Sequence, residues 1–331
     1  MKNESFDPIM NALRFHEFGR PAEVLRLESL ELSPLQDGEV RLKILAAPVN
    51  PADLNLIEGT YGVKPELPAV PGIEGCGEVV ESRASDFQPG DRAILLRRAG
   101  SWATHVQLPA ENLFKLPAGI DPLQAAMLKV NPATAWRLLT GFGTPEPGSW
   151  VVQNAANSGV GRCVIAVAKE LGLRTINLVR RPELVDELLG LGGDVVVTDD
   201  DAGLEAAKAA GTEKPKLAFN CVGGESALRL MNLLASGGIH ITFGAMARRP
   251  LTVPNGLLIF KDLQLRGLWI TKWIESAPKQ ELDEAYSKLA ELMLGGRMSV
   301  PVDSTYSLDA FGSALDRVGE SGREGKVLLA P

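Results

Sequence analysis

Between residues 150 and 268 six short apolar runs alternate with helix-length segments, and this alternation constrains the fold more than any other feature. The runs lie at 150–154, 175–179, 195–197, 217–220, 239–243 and 263–268. The segments between them, at 160–171, 183–191, 204–210 and 226–234, are long enough for helices and are rich in small or apolar residues. Runs of Val, Ile and Leu without polar alternation predict strands covered on both faces. Strands joined by helices run parallel, because each connection must cross back over the sheet. The pattern therefore predicts an α/β chain built on a doubly wound parallel sheet.

Residues 1 to about 125 have a different texture. They are rich in Pro and Gly and carry short β-type runs at 40–45, 77–81 and 92–96. Regular turn punctuation between short strands predicts a partly open β-barrel. After Pro278 come a helix-length segment, 281–294, and two strand-like pieces, 304–308 and 326–329. These are expected to return to the barrel. The expected division is thus 1–130 with 276–331 as a catalytic and substrate domain, and 131–275 as a nucleotide domain. A chain of 331 residues is comfortable for two cores.

The first strand of the sheet opens into Asn154-Ala155-Ala156-Asn157-Ser158-Gly159-Val160-Gly161. A dinucleotide fingerprint needs small residues here so that backbone can approach a pyrophosphate. Ala156 and Ser158 stand at its first two glycine positions, and Gly161 keeps the third. The second strand ends in Arg180-Arg181 with no acidic residue to hold ribose hydroxyls. Two guanidinium forks suit a 2′-phosphate, which favours NADPH over NADH.

Thirty-four basic against 41 acidic residues give a net charge of −7, which argues against nucleic acid as the main partner. No apolar stretch approaches the length of a membrane span. The polar start, Met1 to Asp7, predicts no secretory or transit signal and hence a cytoplasmic enzyme. Cys76, Cys163 and Cys221 are far apart and read as buried, reduced thiols. His16, His105 and His240 are scattered, so no metal site is expected.

Several stretches carry a family resemblance. Residues 72–80 together with 154–161 resemble the quinone reductase branch of the medium-chain dehydrogenases/reductases. Residues 47–55, 58–62, 65–70 and 130–139 resemble the mitochondrial-type trans-2-enoyl-CoA/ACP reductases more closely. The resemblance implies a GroES-like barrel domain beside a Rossmann domain, and a zinc-free enzyme of fatty acid metabolism. Ile73 stands where a zinc dehydrogenase of this kind would carry histidine. The resemblance assigns Tyr61 as the catalytic tyrosine and puts Asn131, Asn157, Ser158, Gly159, Val160, Arg180 and Arg181 on the cofactor. It adds Phe243, Gly244, Ala245 and Met246, then Leu268, Trp269, Ile270 and Thr271, as segments flanking the nicotinamide and acyl pocket. Lys326 falls on a lysine that reaches the cofactor. The 243–246 and 269–273 segments depart from the family pattern and bear on the substrate.

The chemistry implied is reduction of a polarised C=C bond, with hydride delivered to the β carbon and a proton to the α carbon. A phenol is a donor at neutral pH, so Tyr61 can hydrogen-bond the developing enolate or supply the proton. Trp269 and Trp273 either wall an acyl pocket or pack as core. Asn131 either meets the nicotinamide or only caps a helix. Lys326 either meets a phosphate or is a solvated lysine. The enoyl thioester leads; the alternatives are a quinone or enone substrate, or an NADPH-binding sensor without turnover. A homodimer is expected from the resemblance and from the sixth strand at a sheet edge.

Overall fold

The computed structural model describes residues 9–143, 145–210 and 212–331. The chain divides into two compact units: Met1–Val130 with Ile274–Gly295 and Val300–Pro331, and Asn131–Trp273 with Gly296–Ser299.

The strands of the first unit are β1 (Ile9–Arg14), β2 (Arg26–Glu31), β3 (Glu39–Pro48), β4 (Cys76–Ser82), β5 (Arg92–Leu95), β6 (His105–Pro109) and β7 (Leu113–Lys115). In the second unit follow β8 (Trp150–Gln153), β9 (Arg174–Val179), β10 (Val195–Thr198), β11 (Leu217–Asn220), β12 (Ile239–Thr242) and β13 (Gln264–Gly267). The chain then supplies β14 (Val302–Tyr306) and β15 (Lys326–Leu329) to the first unit.

The ten-residue β3 organises the first unit. It pairs antiparallel with β4, β6 and β15, and the sheet runs in the order β14-β15-β3-β4-β5-β7. The C-terminal strands thus return to the barrel, Leu329 lying opposite Ala47. Leu13, Leu42, Ile44, Trp102, Val106 and Leu329 share its core. Three further short helices belong to this unit: Pro51–Ile57, Pro122–Ala126 and Phe311–Gly319. The first two have a proline at their start, where its missing N–H costs nothing.

The second unit is a six-stranded sheet in the order β10-β9-β8-β11-β12-β13, with every neighbouring pair parallel. The order reverses between β8 and β11, so the carboxyl ends of these two strands form the switch point at which such sheets bind nucleotides. Val152, Ile176, Leu178, Ala218 and Leu230 form its core on one face. The predicted α/β architecture is observed, with each of the six expected strands in the sheet. All three cysteines are buried. No helix among the described residues is long and apolar enough to cross a membrane.

Candidate active site

The turn after β8 is built for close approach. Ala155 adopts a positive φ of 46°, which turns the chain sharply out of the strand. Ser158 caps the helix Gly159–Glu170, its Oγ accepting the backbone N–H of Gly161 at 3.1 Å. A Cβ on Gly161 would lie 2.5 Å from the carbonyl oxygen of Ala156, so only glycine lets helix and turn pack this closely. The free N–H groups and the positive end of the helix dipole favour an anion here. Asn157 contributes its carbonyl to Arg162 Nε at 3.2 Å. At the end of β9, Arg180 is exposed, and Arg181 is half-buried with Glu183 3.9 Å away.

A buried polar network stitches the switch point together. Asn154 Nδ2 donates to Asn220 Oδ1 and to Ser226 Oγ, both at 2.8 Å, and Asn154 Oδ1 accepts the N–H of Cys221 at 3.0 Å. Ser226 Oγ donates to Asp199 at 2.5 Å, and Arg229 pairs with the same carboxylate at 3.1 Å. The network satisfies backbone and side-chain groups where β8 and β11 end, which fixes the turn. Asn154, Ser226 and Asp199 were not predicted as site residues; a polar residue closing a buried apolar strand is the signal that marks Asn154.

The segments following β12 and β13 leave the same carboxyl edge of the sheet, beyond the end of β11. Phe243 N–H bonds to Asn220 O at 3.0 Å and Met246 N–H to Cys221 O at 2.8 Å. Met246 is 64% exposed, while Gly244 lies too close to Cys221 to carry a side chain comfortably. Ala245 is exposed. Leu268 N–H bonds to Thr242 O at 3.0 Å, and the helix Ile270–Ser276, which contains Thr271, starts two residues later. The two tryptophans differ: Trp269 is 38% exposed, whereas Trp273 is 7% exposed with the Arg137 guanidinium 5.8 Å from its ring centroid. Asn131 begins the helix Asn131–Thr140; its side chain is buried, and its Nδ2 has no hydrogen-bond partner among the described residues.

In the first unit Tyr61 is half-buried on a loop tied to the helix Pro51–Ile57. The N–H groups of Thr60 and Tyr61 both donate to Asn55 O, at 2.9 and 3.0 Å. The other end of that helix enters a buried ionic cluster that the sequence reading missed. Asp53, Glu74 and Lys129 are all buried. Asp53 accepts the N–H of Asn50 at 2.9 Å and of Ile73 at 2.8 Å, Lys129 Nζ donates to Ile73 O at 2.6 Å, and Glu74 accepts from Asn50 Nδ2 and the N–H of Val130, both at 2.8 Å. Lys326 Nζ donates to Asn50 Oδ1. Burial pushes the Asp53 carboxyl up to about 7 and raises that of Glu74. Burial also lowers the Lys129 ammonium, against the attraction of Glu74 and Asp53. Two carboxyls and two ammonium groups make the cluster neutral when all are ionised. Ile73 is thus held from both sides through its backbone. Among the described residues no group of three His, Cys, Asp or Glu side chains is arranged to hold a metal.

With this geometry in hand, comparison with known proteins is decisive. Residues 36–118 match the alcohol dehydrogenase GroES-like domain, and residues 159–292 match the zinc-binding dehydrogenase family. The mitochondrial enoyl-[acyl-carrier-protein] reductase of Mus musculus is 42% identical over 316 residues, covering 93% of this chain and 85% of the relative. The chain belongs to the mitochondrial-type enoyl-thioester reductase family. Within solved structures, the complex of Etr1p with NADP and crotonyl-CoA superposes with a TM-score of 0.88 at 28% identity, covering 98% of this chain and all of the other. A Bacillus thuringiensis chain assigned as an NADPH:quinone reductase superposes at 0.91 with 27% identity and the same coverage. The family lies within the medium-chain dehydrogenases/reductases, whose solved structures of this fold include chains described as enoyl-thioester reductases and as quinone reductases.

One expectation is overturned. The polar residues 1–7 led to a cytoplasmic assignment, but the curated relatives are mitochondrial enzymes. Residues 1–7, on which that assignment rested, lie outside the described residues.

Proposed function

We infer that this chain is an NADPH-dependent reductase of trans-2-enoyl thioesters, carried on CoA or acyl carrier protein, and serves fatty acid metabolism. The observation that carries this reading is the 42% identity with an enoyl-[acyl-carrier-protein] reductase across 93% of the chain. The second unit fits the cofactor on its own evidence. Its turn accepts no Cβ at Gly161, its helix start is capped but open to an anion, and Arg180 and Arg181 supply positive charge where a 2′-phosphate belongs. The Nδ2 of Asn131, without a partner among the described residues, is a buried donor that an amide oxygen would satisfy.

NADPH, when bound, supplies the hydride that reduces the β carbon. The remaining work falls to the chain. As the β carbon is reduced, negative charge develops on the thioester oxygen, and a fixed donor speeds that step by on the order of 10²-fold. Tyr61 is the proposed donor, either to the enolate oxygen or of the proton at the α carbon. Its backbone is anchored by Asn55, so the loop that carries the phenol is held in place before reaction. Asn157, Ser158, Gly159 and Val160 bind the pyrophosphate; Phe243, Gly244, Ala245 and Met246 with Leu268, Trp269, Ile270 and Thr271 flank the reacting groups; Lys326 completes the cofactor contacts. Trp269, the more exposed of the two tryptophans, is the better candidate for an acyl wall.

The test is NADPH oxidation with crotonyl-CoA, trans-2-decenoyl-CoA and a simple quinone, with Tyr61→Phe in parallel. Thioester turnover that drops about 10²-fold in the variant supports the reading. Quinone turnover alone, indifferent to the substitution, moves the function to the second reading, which the 0.91 superposition on the quinone reductase favours.

The chain is further proposed to form a homodimer through β13. All four residues of this edge strand are exposed, and Ile259 and Phe260 beside it are 69% and 86% exposed. An open strand next to exposed apolar side chains is a surface that a symmetry mate can cover.

A further inference from the structure

Lys326, Asn50, Glu74 and Val130 form one unbroken chain of hydrogen bonds within the first unit. The Lys326 ammonium donates to Asn50 Oδ1, Asn50 Nδ2 donates to Glu74 Oε1 at 2.8 Å, and Glu74 Oε2 accepts the backbone N–H of Val130 at 2.8 Å. Asn50 and Glu74 are buried. Burying a carboxylate merely to brace a loop is an unfavourable design, because an apolar contact would brace it without the desolvation cost. What the chain holds at its two ends explains it better. Val130 is the residue before Asn131, whose buried Nδ2 lacks a partner among the described residues. At the other end, the ammonium of Lys326 donates to an amide oxygen that is itself fixed by Glu74.

We propose that Asn50 and Glu74 are positioning residues for NADPH: Glu74 fixes the Lys129–Val130 peptide, one residue ahead of Asn131, and Asn50 fixes the Lys326 ammonium. The proposal rests on NADPH being the cofactor. Neither residue needs to touch it. Glu74 must accept at both oxygens, and Asn50 must donate to it while accepting from Lys326. This polarity defines the test.

Glu74→Gln keeps the volume but has one oxygen for two donors. Asn50→Asp sets a carboxylate against a carboxylate. The double variant N50D/E74Q reverses the polarity of the pair: the introduced amide donates to the introduced carboxylate and keeps its oxygen for Val130, and Lys326 still meets an acceptor. NADPH affinity is read by fluorescence titration, alongside KM for crotonyl-CoA and circular dichroism of each variant. Each single variant is expected to weaken NADPH about tenfold and to leave KM for crotonyl-CoA within about twofold, while the double variant returns to within about twofold of wild type in NADPH affinity. Glu74→Gln that binds NADPH like wild type, or a folded double variant no better than the singles, overturns the proposal. If Glu74→Gln does not fold, Asn50→Ser, which removes both amide contacts, replaces it: unchanged NADPH affinity overturns the proposal, and a tenfold loss supports it. A wild-type protein that binds NADPH but leaves crotonyl-CoA untouched defeats the enoyl-thioester reading alone, because the binding measurements still decide this one.

Discussion

The Asp53 carboxyl accepts the backbone N–H of Ile73 across 2.8 Å at a site where Asp53 has no exposure to water. Twenty residues apart in sequence, the two are held together at the loop where a zinc dehydrogenase would present a histidine. Here the position presents its backbone to an internal ion cluster instead. The same carboxyl accepts from Asn50, so it ties the start of the helix Pro51–Ile57 to the loop. The other end of that helix anchors the Tyr61 segment through Asn55.

Removing that carboxyl should therefore loosen more than one contact. Asp53→Ala leaves two buried N–H groups without acceptors, at a cost of about 2–4 kcal/mol. Asp53→Asn keeps one acceptor and should cost roughly half as much. Urea unfolding of both variants checks the order; equal stability of wild type and Asp53→Ala would show that the cluster contributes nothing net.

His240 should make the second unit acid-sensitive. It lies in β12, fully buried, and neither ring nitrogen has a hydrogen-bond partner among the described residues. Burial pulls its pKa down from 6.5 to about 4. Between these values the unfolded chain takes up a proton that the folded chain refuses. Stability from this group is fully present above pH 6.5 and falls as pH drops towards 4, by about 3 kcal/mol in all. Asp53, raised from 3.8 to about 7, works in the opposite sense, adding stability as pH falls through the same range. Comparing wild type with His240→Leu isolates the histidine: the variant should lose less stability between pH 6.5 and 4.5. Parallel curves would refute the assignment.

Arg180 and Arg181 should set the choice of cofactor. Replacing both with Ala removes the charge proposed to face a 2′-phosphate but nothing that NADH is expected to need. KM for NADPH should rise about 10–100-fold with KM for NADH nearly unchanged. An equal loss with both cofactors would mean that the arginines support the fold of the turn rather than the phosphate.

Phe260→Glu together with Leu265→Asp should break the proposed dimer, because both side chains are exposed beside the open edge of β13. Sedimentation should then report the 35.4 kDa monomer for the variant and twice that for wild type. A wild-type monomer at working concentration sinks the homodimer.

Local pattern determined the nucleotide half of this protein. Runs such as 150–154 and 217–220 are apolar without alternation, which only strands covered on both faces satisfy, and Ala156, Ser158 and Gly161 declare a tight turn in the residues themselves. The proposed roles of Arg180 and Arg181 likewise rest on adjacent residues alone. The ionic cluster was not legible in this way. Asp53 meets Ile73, Glu74 meets Val130 and Lys326 meets Asn50 over separations of 20, 56 and 276 residues. No periodicity links such pairs, and each carboxylate and lysine reads in isolation as an ordinary surface charge. Their burial, and with it the bracing of Tyr61 and of the chain before Asn131, follows from how β3, β4 and β15 pair around them. Tertiary structure alone decided that, because burying an ion is favourable only once its partners have been brought from distant parts of the chain.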